Sequence, residues 1–140
     1  MLDLPFNHTV TIVIITVIIS LIAFSNQNVM NRLIFWPPAM QKGQYDRFIT
    51  HGFIHADGTH LLFNMITLFF FGSVIESFYR QYFYELGFVL FYLGGLIVAI
   101  IPSYLKHKND HRWASLGASG AVSAVLFAYI LFEPWKLIFV

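Results

Sequence analysis

Gly117-Ala118-Ser119-Gly120-Ala121-Val122-Ser123-Ala124-Val125-Leu126-Phe127-Ala128-Tyr129-Ile130-Leu131-Phe132 is a run of small residues that opens an apolar helix. A serine in the first turn of a helix has unpaired backbone N–H groups and the positive end of the helix dipole beside it, so an oxyanion can sit there. Gly117 and Gly120 leave room for another backbone or a substrate to come close. Two readings follow from these residues alone: a nucleophile at Ser119, or a seam of Gly117, Gly120, Ala124 and Ala128 for tight packing of membrane helices. The rest of the chain has to separate them.

The 140 residues suffice for one domain, read here as 1–140. With 58% hydrophobic, 19% aromatic and only 11% charged residues, a sphere of this size cannot keep its apolar side chains out of water, so lipid covers some of them. A net charge of +1 without a basic run gives no argument for nucleic acid. The absence of cysteine removes disulfides, thiolate metal sites and cysteine nucleophiles.

Working back from the serine helix, four spans are expected. Thr9 to Phe24 is apolar apart from Thr11, Thr16 and Ser20, whose hydroxyls can bond back to their own helix. No Lys or Arg precedes it and no small-x-small cleavage site follows, so it reads as a retained span and not a signal peptide. Ser25 to Arg47 reads as a long loop, with Phe35, Trp36 and Met40 suited to headgroup depth. The second span, Thr59 to Tyr79, follows the turn Asp57-Gly58, with Asp57 or Thr59 as N-cap. Glu76 and Arg80 close it with a spacing suited to a weak surface pair. The third span, Phe83 to Leu105, carries Gly87, Gly94 and Gly95 for close helix contact. Lys106 to Arg112 is a polar loop with solvated His107 and His111. After the turn Glu133-Pro134-Trp135-Lys136, Leu137-Ile138-Phe139-Val140 begins another apolar run, which reads as a truncated sequence.

Polar residues inside apolar helices are functional candidates because burying them in lipid is costly. His60 and Asn64 lie one turn apart and share a helix face. His51 and His55 have a spacing able to hold zinc on a helix, but Gly52 stands where the zinc-protease pattern needs Glu, and Asp57-Gly58 puts both before the helix. His60 and Asn64 are better read as donors aimed at negative charge developing during attack by Ser119.

Together these residues resemble the rhomboid family of intramembrane serine proteases. The matching positions are His51, His55, His60 and Asn64 (H-x3-H-x4-H-x3-N), Gly72 and Glu76 (G-x3-E), Tyr92 and Gly94, and Gly117-Ala118-Ser119-Gly120 (G-x-S-G). The resemblance implies an all-α, polytopic membrane helix bundle of six helices, of which four and the start of a fifth are present. It implies cleavage of a transmembrane protein substrate inside the lipid bilayer by a Ser-His dyad, with no metal or soluble cofactor. Ser119 is then the nucleophile. His60, Asn64 and the Ser119 N–H form the oxyanion site, Gly117 and Gly120 support the motif, and His51, His55, Arg47 and Glu76 are structural.

The chain departs from the family pattern in three places: no histidine follows Ser119, Ser123 stands where many members have an aromatic residue, and Asp46 precedes Arg47 in place of Trp. A serine without a base is a poor nucleophile, so the 140 residues alone are expected to be inactive. The resemblance also implies a bacterial inner membrane with a cytoplasmic N-terminus. The positive-inside count points the other way, with Arg32, Lys42, Arg47, Lys106, Lys108 and Arg112 in the outer loops against Arg80 and Lys136 inside; the family topology is followed. The alternatives are an inactive relative that binds transmembrane helices without cutting, and a metal-handling protein using His51, His55 and His60. A histidine in an apolar helix encoded beyond Val140 separates the first of these from the protease, and stoichiometric zinc tests the second. The residues do not specify an oligomeric state.

Overall fold

A computed structural model describes residues 7–133, and these are helical almost throughout. The helix α1 (His8–Ser25) starts where the Asn7 side chain accepts the Val10 N–H at 2.8 Å. Asn26 ends it and at once caps α2 (Gln27–Leu33), accepting from Asn28 and Val29. A 3-10 turn (Pro37–Lys42), α3 (Arg47–Thr50) and a second 3-10 turn (His51–Phe53) lead to the next span. The expected loop from Ser25 to Arg47 is therefore largely helical. Its Phe35 and Met40 are buried and pack with Ile100, Phe48, Tyr104 and Trp113, so they are core residues and not lipid-facing anchors. Aromatic edge contacts hold this unit together, with Phe35 at 5.0 Å from Phe48 and 5.9 Å from Tyr104.

The second span is a rod of 25 residues, Gly58–Tyr82. It is built from α4 (Gly58–Thr67), a π-helical segment (Leu68–Gly72) and α5 (Ser73–Tyr82). Asp57, not Thr59, is its N-cap, accepting from the His60 N–H at 2.9 Å. The π segment lies against α1, where a Cβ on Gly72 would stand 2.8 Å from Thr9 Cγ2. One turn further on, Glu76 is 2% exposed and accepts the Thr9 N–H at 3.0 Å. The surface-pair reading of Glu76 and Arg80 is thus corrected. The carboxylate answers an unpaired donor in the first turn of α1, where the helix dipole favours negative charge, and Arg80 lies 3.7 Å away at the rim.

Helices α6 (Gly87–His107) and α7 (Ser119–Phe132) cross at a seam of small residues. A Cβ on Gly120 would stand 2.5 Å from Ala99 Cβ, and one on Gly95 3.2 Å from Ala121 Cα. Gly94 faces open space, so close contact does not explain it. The main core joins Leu68, Ile75, Phe88, Tyr92, Leu96, Ala121 and Val125 from α5, α6, α7 and the π segment. Among the described residues, three helices are long and apolar enough to cross a membrane: α1, the Gly58–Tyr82 rod and α6. At 14 residues α7 is about 21 Å long, shorter than the roughly 30 Å hydrocarbon core, and it ends at Phe132, where the sequence places its end. A non-helical stretch from Trp113 to Gly117, bridged at Ser115 to Phe35, carries the chain to its start. The turn at Pro134-Trp135-Lys136 and the apolar run from Leu137 lie outside the described residues.

Candidate active site

Ser119 is the first residue of α7, and two bonds fix the turn that presents it. Gly117 has φ +114°, a conformation that L side chains rarely adopt, and its N–H donates to the His51 carbonyl at 2.8 Å. The next N–H, of Ala118, donates to His55 Nε2 at 3.2 Å. That bond settles the tautomer: Nε2 accepts, so Nδ1 carries the hydrogen and donates to Ser20 Oγ at 3.1 Å. The Ser20 hydroxyl in turn donates to the Phe53 carbonyl at 2.9 Å, not to its own helix as expected. A relay of three bonds therefore ties the first span to the turn before Ser119.

Sequence reasoning missed Ser20 and the Ala118 amide. The signal was there for Ser20, a hydroxyl midway along an apolar span, where an unpartnered polar group is costly. The Ala118 amide has no sequence signature at all.

With the Gly117 and Ala118 N–H groups taken, the first free donors of α7 are those of Ser119 and Gly120, which have no partner among the described residues. Ser119 lines a cavity of about 260 Å³ together with His55, Ala56, His60, Asn64, Leu116 and Gly117. The hydroxyl, imidazole and carboxamide singled out in the sequence thus share one cavity. Asn64 Nδ2 donates to the His60 carbonyl at 3.0 Å, which leaves its second N–H available. His60 Nδ1 lies 3.1 Å from Asp57 Oδ2, and its side chain is 67% exposed.

The other histidines and Arg47 do not line this cavity. Arg47 is buried and donates to the carbonyls of Asn31 and Ile34 at 3.0 and 2.8 Å and to Gln44 Oε1 at 2.9 Å. His51 Nδ1 lies 3.1 Å from the Arg47 carbonyl, and its ring meets Phe35 edge-on at 5.7 Å. His107 and His111 are not simply solvated. His107 stacks on Trp113 at 4.4 Å, and the His111 carbonyl accepts the Trp36 indole N–H at 3.0 Å.

Burial holds both His51 and His55 well below the ordinary histidine range, at about 4, with His60 adding to the effect at His55 and Asp57 opposing it. Both are neutral in the folded chain at pH 7, whereas the unfolded chain takes up protons near pH 6.5. Between pH 6.5 and pH 4 the unfolded state binds more protons, so stability rises with pH across that window. Acidification from pH 7 to pH 4 is expected to cost on the order of 3 kcal/mol for each imidazole. Denaturant unfolding in detergent at pH 7 and pH 5 checks this. His55→Gln should flatten the pH slope, and an unchanged slope would contradict the assignment.

A family profile described as the Rhomboid domain matches residues 42–140. Among curated proteins, the chain is 29% identical over 127 residues to RHOMBOID-like protein 12, mitochondrial, of Arabidopsis thaliana, covering 79% of this chain and 36% of that one. It is 33% identical over 88 residues to putative rhomboid protease YdcA of Bacillus subtilis (strain 168), covering 63% and 41%. It is 31% identical over 126 residues to rhomboid protease GlpG of Enterobacter sp. (strain 638), covering 87% and 41%. The chain spans about two-fifths of the length of these relatives. With three helices among the described residues long and apolar enough to cross a membrane, it is a multi-pass integral membrane protein.

Proposed function

Because the chain belongs to the rhomboid family, we propose that it is the Ser119-bearing part of an intramembrane serine endopeptidase that cuts transmembrane segments of other proteins. The observation that supports this most is the shared cavity: Ser119 meets His60 and Asn64, more than fifty residues earlier in the chain, in one space at the start of a short helix. In the proposed reaction Ser119 Oγ attacks the scissile carbonyl carbon and gives its proton to an imidazole. The Ser119 N–H, Asn64 and His60 receive the oxyanion. Collapse breaks the C–N bond, the imidazolium proton goes to the leaving amine, and water then releases the acyl group by the same steps in reverse order.

No histidine follows Ser119 in the sequence, His55 accepts the Ala118 N–H, and His60 acting as base would take a donor from the oxyanion site. The base proposed is accordingly an imidazole on a later helix, as the family resemblance implies. A substrate helix has to unwind locally before its carbonyl can enter, since a fully bonded helix hides it. The proposal includes a bacterial inner membrane with the N-terminus in the cytoplasm, and two of the three relatives above are bacterial proteins.

A second reading is a relative that binds transmembrane helices without cutting them. A fluorophosphonate separates the two. Labelling of Ser119 in the protein produced from its natural gene is expected for the protease, and unlabelled Ser119 in folded protein would sink it. Asn64→Ala is expected to lower kcat by about 10²- to 10³-fold with KM little changed, because its bond strengthens in the transition state. Steady-state cleavage of a reconstituted transmembrane substrate measures both. A rise in KM at constant kcat would move Asn64 from oxyanion stabilisation to substrate binding.

A further inference from the structure

A second cavity, of about 480 Å³, lies away from Ser119, between residues 31–36 and residues 111–114. Its lining includes Asn31, Ile34, Trp36, Arg47, His111 and Arg112, with no carboxylate among its lining residues. The two walls are stapled together. Phe35 and Ser115 exchange backbone bonds of 2.9 Å in both directions, and the Trp36 indole donates to the His111 carbonyl. The cavity is therefore formed before any ligand arrives.

One of its two arginines is unanswered, since Arg47 donates to Asn31, Ile34 and Gln44. The Arg112 guanidinium has no hydrogen-bond or ion-pair partner among the described residues; only its backbone N–H is engaged, with Asp110. Asp46 is taken by Arg32 at 2.9 Å, and Asp110 also faces His107 at 3.8 Å. Burial, and after it the nearby Arg32 charge, push the Arg47 guanidinium below its usual pKa, with Asp46 opposing them.

Depth and charge point to the kind of anion. α1 ends at Ser25, the second span starts at Gly58 and α6 ends at His107, so both walls sit just beyond the same ends of three spans, at headgroup level. Trp36 and Trp113 at this end suit that depth. The segments here carry Arg32, Lys42, Arg47, Lys106, Lys108 and Arg112 against three aspartates, Asp46, Asp57 and Asp110. At the opposite end Arg80 faces Glu76, Glu85 and Glu133 among the described residues.

We propose that this cavity is a headgroup site for an anionic phospholipid, with the Arg112 guanidinium holding the phosphodiester and the Trp36 and Ile34 side chains forming the wall beside it. A planar guanidinium matches phosphate oxygens in a fork that a lysine cannot reproduce. The cavity is larger than a bare phosphate needs, and its apolar side suits the glycerol and the first acyl carbons. The site does not depend on the chemistry at Ser119.

Native mass spectrometry of the purified chain in neutral detergent tests this, with titrations of phosphatidylglycerol, of phosphatidylcholine with the same acyl chains, and of inorganic phosphate. Retention of one phosphatidylglycerol at least about tenfold more tightly than phosphatidylcholine is expected, with a loss of about tenfold in Arg112→Gln, the size of one charge-assisted contact. Lys42→Gln, which removes the same charge at the same end outside the cavity, should leave retention unchanged. An equal loss in both variants would reduce the effect to diffuse attraction and overturn the site. Equal retention of the two lipids would overturn it as well. Inorganic phosphate binding as tightly as the lipid would make it a free-phosphate site and overturn the lipid assignment.

Discussion

Ser119→Ala is expected to abolish cleavage of a transmembrane substrate, by about 10⁴- to 10⁶-fold, while leaving the fold intact. The first half follows from the proposed mechanism, in which the hydroxyl oxygen forms the bond to the carbonyl carbon and no neighbour can replace it. The second half follows from position. Ser119 is exposed to its cavity, its hydroxyl bonds to nothing among the described residues, and its helix begins from the Gly117 and Ala118 N–H bonds, which the substitution leaves alone. Stability should therefore stay within about 0.5 kcal/mol of the parent. Cleavage in proteoliposomes and thermal unfolding in detergent, measured on the same preparation, give the answer. Equal cleavage by variant and parent would remove Ser119 from the chemistry, and a drop of many degrees in Tm would make the loss one of structure.

Gly120→Val should be the most damaging substitution for the fold. Even one methyl at this position would stand 2.5 Å from Ala99 Cβ, where carbon atoms normally rest about 3.5 to 4.0 Å apart. Both groups are fixed to helix backbones, so no side chain can turn aside, and α6 and α7 have to part by more than 1 Å. Overpacking of this kind costs about 1–3 kcal/mol for one methyl, and valine adds two more carbons. Separation at this seam also shifts Ser119, the neighbouring residue, against Asn64 on α4. A misplacement of about 1 Å is enough for a loss of about 10²-fold in rate.

The milder Gly120→Ala carries the decisive control. Combining it with Ala99→Gly moves the methyl from one helix to the other, so stability should recover in large part. Unfolding in detergent of the two single variants and the pair measures the coupling. If the pair is no more stable than Gly120→Ala alone, close packing at the seam is not what Gly120 supplies.

The spans were legible because lipid imposes long apolar runs that nothing else in a sequence imitates. α1, the Gly58–Tyr82 rod and α6 fall within a few residues of the ranges read from hydropathy. The Asp57 cap and the small-residue seam at Gly120 were legible for the same reason, since each depends on local residue types. The segment between Asn26 and Arg47 was not. Its short helices and its own small core are held by Phe48, Tyr104, Ile100 and Trp113, partners that lie up to about eighty residues away in the chain.

By itself the sequence determined that this is a helical membrane protein, that it carries the rhomboid motifs, and that Ser119, His60 and Asn64 are the residues to watch. These are statements about residue type and spacing, which a chain carries whether or not it is folded. Only the tertiary structure decided where the polar bonds go. It turned Glu76 from a surface partner of Arg80 into the acceptor for the first turn of α1, and it tied Ser20 through His55 to the Ala118 amide. It also gathered Arg47 and Arg112 at one preformed cavity. The physical reason is that a buried polar group has to find a partner somewhere, and in a bundle of packed helices that partner can sit on any neighbouring element, at a sequence distance no local pattern records.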